Sequence, residues 1–305
     1  MDYILETDKL TKIYGSKAAV NEVDMHIREG QIYGLIGRNG AGKTTIMRMI
    51  SGLSTPTKGD YTLFGKSGYE KGKMLKNVGV LIESPGIYPR LSAYENLKIK
   101  CIARGISAKG YVEDLLKTVG LSDVDPKKGV GSYSLGMRQR VGIALALVGD
   151  PKLIVLDEPI NGLDPQGIAD IREMVVRLRD EKGITVMLSS HILDELAKVA
   201  DAYGIINEGT LLEEFTAEEL RRRTSEYVRI RTNDTAAALA ALKKIGIEKA
   251  ETDGDTVVRV AEQLDNTAAM AKAVVEAGAE LREIHVHNAT LEEYYLGVTG
   301  GEKHE

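Results

Sequence analysis

The stretch Gln31-Ile32-Tyr33-Gly34-Leu35-Ile36-Gly37-Arg38-Asn39-Gly40-Ala41-Gly42-Lys43-Thr44-Thr45-Ile46 decides how the rest of the chain is read. Gln31–Gly37 is a short apolar run of buried-strand type and Lys43–Gly52 has helical character, so a turn joins strand to helix. That turn matches G-x-x-x-x-G-K-[ST] in the strand–loop–helix setting the motif requires. Its glycines let the backbone wrap an anion with N–H groups pointing inward, and the helix N-terminus adds the positive end of its dipole. Gly37, Asn39, Gly40, Ala41, Gly42, Lys43, Thr44 and Thr45 are therefore the candidate phosphate contacts. Lys43 is expected to bridge β- and γ-phosphates, and Thr44 to hold Mg2+ through its hydroxyl. At average residue usage, the four fixed positions would match by chance in about one such chain in a hundred.

Working outward, Val78–Ile82, Leu153–Leu156, Thr185–Leu188 and Gly204–Ile206 read as further buried strands, with Pro165–Lys182 and His191–Ala200 as helices between them. Alternation of this kind predicts an α/β domain with a largely parallel sheet. The opening, Tyr3 to Ile27, predicts a small antiparallel layer. Between Pro85 and Asp150 the pattern changes to three helices, Ser92–Arg104, Ser107–Val119 and Leu135–Val148, which predicts a helical insertion over 86–150. Residues 1–215 are expected to form this first domain. Residues 216–305 read as a smaller α+β domain with strands and helices in β-α-β-β-α-β order, followed by a last helix at Leu291–Leu296.

Leu153-Ile154-Val155-Leu156-Asp157-Glu158 is a buried strand that ends in two acids. Paired carboxylates there are costly without a cation, so Asp157 is a candidate Mg2+ ligand and Glu158 a candidate to polarise an attacking water. Ser189-Ser190-His191 follows another strand and puts His191 at the same sheet edge.

Composition sets the outer bounds. The 305 residues carry 40 basic and 45 acidic side chains, and the acidic excess lies wholly in 216–305. A nucleic-acid-binding tail would need a basic footprint, so no nucleic-acid partner is expected. The single cysteine, Cys101, cannot form an intramolecular disulfide, which suits a reducing compartment. The Met1-Asp2 start does not read as a secretory signal. No stretch approaches the roughly 18 apolar residues of a membrane span, so any membrane contact is expected to go through a partner.

Two further segments carry a resemblance. Tyr133-Ser134-Leu135-Gly136-Met137 precedes the Asp157 strand, Asn161-Gly162-Leu163-Asp164-Pro165 follows Glu158, and both fall in order with the phosphate loop and His191. Over residues 2–215 this set resembles the ATP-binding cassette (ABC) ATPases. The resemblance implies ATP and Mg2+ as ligands and a homodimer or heterodimer of cassettes. It assigns Ser134 and Gly136 to the signature that meets the other cassette's γ-phosphate, Asp164 to the D-loop, His191 to the switch histidine, and Tyr14 to a ring stacked on adenine. Tyr133-Ser134-Leu135-Gly136-Met137 keeps the serine and second glycine of Leu-Ser-Gly-Gly-Gln and departs at the leucine, the first glycine and the glutamine. Glu83 stands where most cassettes have a Q-loop glutamine and remains an oxygen donor suited to Mg2+.

Glu83, the Ser-Leu-Gly-Met signature, and the ending Leu291-Glu292-Glu293-Tyr294-Tyr295-Leu296 with Thr299-Gly300-Gly301 are similar to the bacitracin-resistance and lantibiotic-immunity exporter ATPases. The resemblance implies an ATPase subunit working with a separate transmembrane permease, peripheral on the cytoplasmic face of a bacterial membrane. Tyr88, Leu91 and Tyr94 are expected among the permease contacts. Lipid or polysaccharide cargo, or a regulatory ATPase without transport, are the alternatives.

Overall fold

The computed structural model describes residues 3–223, 226–287 and 290–300; Met1, Asp2 and Gly301, read above, lie outside the described residues. The chain divides into two compact units, Met1–Ala217 and Glu218–Glu305.

The first unit opens with β1 (Tyr3–Tyr14), β2 (Lys17–Val23) and β3 (His26–Arg28), then enters β4 (Ile32–Ile36), the Gly37–Gly42 loop and α1 (Lys43–Ile50). Next comes β5 (Lys58–Leu63), which returns to pair antiparallel with β1. After α2 (Gly68–Met74) and β6 (Val78–Leu81), three helices follow: α3 (Ala93–Ala103), α4 (Tyr111–Thr118) and α5 (Leu135–Leu147). The chain then alternates through β7 (Leu153–Leu156), α6 (Pro165–Lys182), β8 (Thr185–Ser190), α7 (Leu193–Ala197) and β9 (Ala202–Asn207), and ends in β10 (Thr210–Thr216). The main sheet has the order β10-β9-β4-β8-β7-β6. All its pairs are parallel except β10 with β9.

Parallel strands covered on both faces need continuous apolar side chains rather than alternation. That is why β4, β7 and β8 are buried along their whole length. One core cluster joins the antiparallel layer to this sheet, with Met25, Ile46, Met47, Met49 and Leu63 inside it.

Local chemistry sets the helix ends. Ser92 and Glu95 form a reciprocal capping box on α3. Asp164 caps α6, Pro165 opens it and Gly183 closes it in the left-handed region, so this helix has the bounds its sequence predicts. The helix expected over Ser107–Val119 begins only at Tyr111, because Gly110 turns the chain with φ 79°. The helix expected over His191–Ala200 shrinks to Leu193–Ala197. Its first residues are held in a turn, where the Ile192 amide donates to Ser190 Oγ.

The boundary falls after the first residue of α8 (Ala217–Arg223), and the second unit continues with β11 (Tyr227–Thr232), α9 (Thr235–Lys244), β12 (Ala250–Asp253), β13 (Val257–Val260), α10 (Thr267–Glu276), β14 (Leu281–His287) and α11 (Leu291–Thr299). The strands form one antiparallel sheet in the order β12-β13-β11-β14. Val228, Ile230, Val258 and Val260 point to one face and pack with Ala238, Leu242, Met270 and Val274 from α9 and α10. This period-two pattern leaves charged residues such as Arg229 and Arg259 on the other face.

Candidate functional site

Parallel strands bring their carboxyl ends to one edge, where ligands of open α/β sheets bind. Register places the candidates there together: Ile36 pairs with Ser190, Leu156 with Leu188, and Leu81 with Leu156. The phosphate loop leaves β4, Asp157 and Glu158 leave β7, Ser189–His191 leave β8, and Glu83 leaves β6.

Gly37 and Gly42 are required by close approach. A Cβ on Gly37 would lie 2.5 Å from the Ile206 carbonyl, and one on Gly42, at φ 112°, would lie 2.7 Å from the Ala19 carbonyl. Lys43, the first residue of α1, is buried. Its Nζ donates to the carbonyls of Gly37 at 2.5 Å and Arg38 at 3.3 Å, and lies 3.3 Å from Glu158 Oε1. These are the resting partners of a cation placed inside an anion loop.

The acids are closely tied. Thr44 Oγ1 donates to Asp157 Oδ2 at 2.7 Å. Ser189 Oγ donates to Asp157 Oδ1 at 2.7 Å and accepts from the Glu158 amide at 2.9 Å. His191 Nδ1 lies 2.8 Å from Glu158 Oε2. Glu158 adopts the left-handed region, φ 49°, which non-glycine residues hold only when their surroundings fix them. Its buried Oε1 makes no hydrogen bond among the described residues. A carboxylate oxygen left in that state next to a lysine is suited to receive a proton donor such as water.

Thr44 and Asp157 meet the requirements of the Mg2+ that the resemblance implies. Both present oxygen, the donor a hard cation prefers. No group of three or more His, Cys, Asp or Glu among the described residues forms a metal cage. Glu83, the third expected ligand, is not joined to this pair by a hydrogen bond or ion pair. It is ion-paired with Arg48 of α1.

The other expected residues lie elsewhere. Ser134 is the exposed N-cap of α5 and accepts from the Met137 amide at 3.2 Å. Gly136 follows one residue inside the helix. The neighbouring Leu135 is 41% exposed, and a Cβ on Gly162 would meet its side chain at 3.3 Å. Asp164 accepts from the Gly167 amide at 3.0 Å, so its carboxylate serves α6 as a cap. Tyr14 is half exposed at the end of β1, with Lys12 Nζ 5.2 Å from its ring centroid.

Sequence reasoning missed Ser189. Its signal was the two hydroxyls closing an otherwise apolar strand next to the Asp157 strand. It also missed Arg48, one helical turn beyond Thr44. A cavity of about 350 Å3 lies beside the Glu83 loop, lined by Leu53, Ile82, Pro85, Tyr88, Ile99 and Lys100 among others. Burial, and then the charge of Arg104, push the Lys100 ammonium below its ordinary pKa. Asn96 pins the loop to α3: its Oδ1 accepts from the Tyr88 amide at 2.7 Å and its Nδ2 donates to the carbonyls of Tyr88, Leu91 and Ser92. Of the three expected permease contacts, Tyr88 lines the cavity, while Leu91 and Tyr94 are half-buried and do not.

A family model described as ABC transporter matches residues 20–161. The chain is 40% identical over 303 residues to the bacitracin transport ATP-binding protein BcrA of Bacillus licheniformis, covering 99% of each. It is 44% identical over 209 residues to the lantibiotic transport ATP-binding protein SrtF of Streptococcus pyogenes, covering 68% of this chain and 89% of that relative. Among solved structures, cbiO1 from Clostridium perfringens, part of the ABC transporter complex cbiONQ, aligns with a TM-score of 0.66 at 26% identity, over 73% of this chain and 92% of that one.

Proposed function

Because this chain belongs to the ABC transporter ATP-binding proteins, we propose that it is the ATP-hydrolysing subunit of an exporter whose cargo is a peptide antibiotic or bacteriocin. The observation that carries the chemistry is the Thr44–Asp157 contact, with Glu158 one residue on and held by His191. The cargo class rests on the bacitracin and lantibiotic relatives.

In this reading ATP phosphates enter the Gly37–Thr45 loop and draw Lys43 from the Gly37 and Arg38 carbonyls. Thr44 and Asp157 would hold Mg2+, which when bound would neutralise phosphate charge. Glu158 orients the attacking water through its carboxylate, and His191 fixes that carboxylate's direction. Ser134 and the N-terminus of α5 face the γ-phosphate bound by a second cassette, so ATP favours the closed pair and hydrolysis favours the open one. A ligand can shift such an equilibrium only by its differential affinity for the two states, and the γ-phosphate supplies that difference.

No helix among the described residues is long and apolar enough to cross a membrane. The work on cargo is therefore assigned to a membrane permease, with this subunit peripheral on the cytoplasmic face. The groove containing Tyr88 is the surface proposed to meet it.

The test combines turnover with growth. Glu158→Gln should lower ATP hydrolysis about 100- to 10,000-fold, the range for losing a positioned general base, while ATP binding persists. A strain carrying only that variant, like a deletion, should become selectively sensitive to bacitracin or a lantibiotic. Full turnover would remove Glu158 from its role. Unchanged growth across the drug panel would overturn the peptide cargo and direct attention to lipid or polysaccharide.

A further inference from the structure

Residues four apart on a helix share a face, and on α1 that face meets two neighbouring strand ends. Thr44 contacts Asp157 beyond β7. One turn later, Arg48 is ion-paired with Glu83 beyond β6. The strands are themselves paired, and the Asp157 amide donates to the Leu81 carbonyl at 2.8 Å. Both post-strand glutamates, Glu83 at φ 64° and Glu158 at φ 49°, sit in the left-handed region. The two contacts differ in exposure. Asp157 is 5% exposed, whereas the Arg48 and Glu83 side chains are 38% and 63% exposed. An ion pair so open to solvent contributes little to stability and exchanges partners readily. Ile82, Ser84, Pro85 and Gly86, which flank Glu83, line the groove beside it, so a change of partner at Glu83 acts on the groove wall directly.

We propose that Arg48 is a positioning residue that holds Glu83 against α1 in the nucleotide-free protein and releases it to the divalent cation gathered by Thr44 and Asp157. Arg48 and the cation then compete for one carboxylate, and the groove wall follows the winner. A glutamine at position 83 would carry no net charge and would feel this competition weakly. The replacement of amide by carboxylate is what makes Arg48 matter. The inference rests on the proposed ATP site.

The test uses full-length protein carrying Glu158→Gln, with binding of a fluorescent trinitrophenyl-ATP followed as Mg2+ is titrated. Adding Arg48→Gln should lower the Mg2+ concentration for half-maximal binding about two- to fivefold, the range open to an exposed ion pair. Binding in EDTA should not change, and Arg48→Lys should fall between. With Glu83→Gln also present, Arg48→Gln should have no further effect. No shift, or the same shift with and without Glu83→Gln, would overturn the competition while leaving the ATP site intact. Absence of nucleotide binding before Arg48 is changed would overturn the ATP site, and the competition with it.

Discussion

At the phosphate-loop edge each candidate side chain is tied to others of the same chain: Lys43 to the loop and Glu158, Thr44 to Asp157, Asp157 to Ser189, Glu158 to His191. At the N-terminus of α5 the arrangement differs. Ser134 is exposed, its hydroxyl accepts from the Met137 amide of its own helix, and the apolar Leu135 beside it is partly open to solvent. The first edge is assembled before ligand arrives, because buried carboxylates require partners. The second presents one hydroxyl and one helix terminus outward, as a surface does when its ligand comes from elsewhere. In the proposed reading, one half of the site binds within a single chain and the other meets a second.

The contrast breaks first at Lys43. Lys43→Ala would remove the charge-assisted contacts proposed to the phosphates and takes away the ammonium 3.3 Å from Glu158 Oε1. ATP affinity should fall about 10- to 100-fold, matching the 1.5–3 kcal/mol of hydrogen bonds to charged groups. Calorimetric titration of the single chain checks this, and unchanged affinity would contradict the cradle.

A smaller effect of the opposite kind is expected at Ser134. Aspartate caps a helix as well as serine, so Ser134→Asp should keep the melting temperature and the ATP affinity of the isolated chain. It places a carboxylate where the γ-phosphate of a second cassette is proposed to come, and two like charges about 4 Å apart repel by about 1 kcal/mol in water and more as water is excluded. Hydrolysis should therefore drop about tenfold or more, with ATP-dependent dimers lost by sedimentation. Equal loss of monomer binding would erase the distinction between the two edges.

These two edges also mark where sequence was informative. The phosphate loop, Asp157, Glu158 and His191 were legible because each follows an apolar run long enough to be a buried strand, and parallel strands deliver their ends to one place. β5 and β10 were not. Lys58-Gly59-Asp60 and Glu213-Glu214 lack the apolar runs of the central strands, so pairing with β1 and β9 rather than local pattern makes them strands. The early end of the α7 segment was hidden for a similar reason, since the Ser190 hydroxyl competes with helical hydrogen bonding there. Glu83 was visible as an unusual residue. Its partner Arg48 was not, because an arginine in the last turn of α1 also has an ordinary role near a helix C-terminus.

Ser189 sharpens the comparison at its finest scale. It is fully buried, and its hydroxyl bonds both Asp157 Oδ1 and the Glu158 amide, joining β8 to the turn after β7. Ser189→Ala leaves a buried carboxylate oxygen and a backbone amide short of a partner. Each loss of that kind is worth about 1–3 kcal/mol, so denaturant unfolding of the variant should show a decrease of that order. Thr44 remains bonded to the other oxygen of Asp157, so nucleotide affinity should change less than it does for Lys43→Ala. The left-handed turn at Glu158 loses a constraint, and hydrolysis should weaken more than binding. Wild-type stability in Ser189→Ala would mean that Asp157 and Glu158 are held by Thr44 and His191 alone. A binding loss as large as that of Lys43→Ala would mean instead that the acids and the phosphate loop are a single unit, with Ser189 as one of its supports.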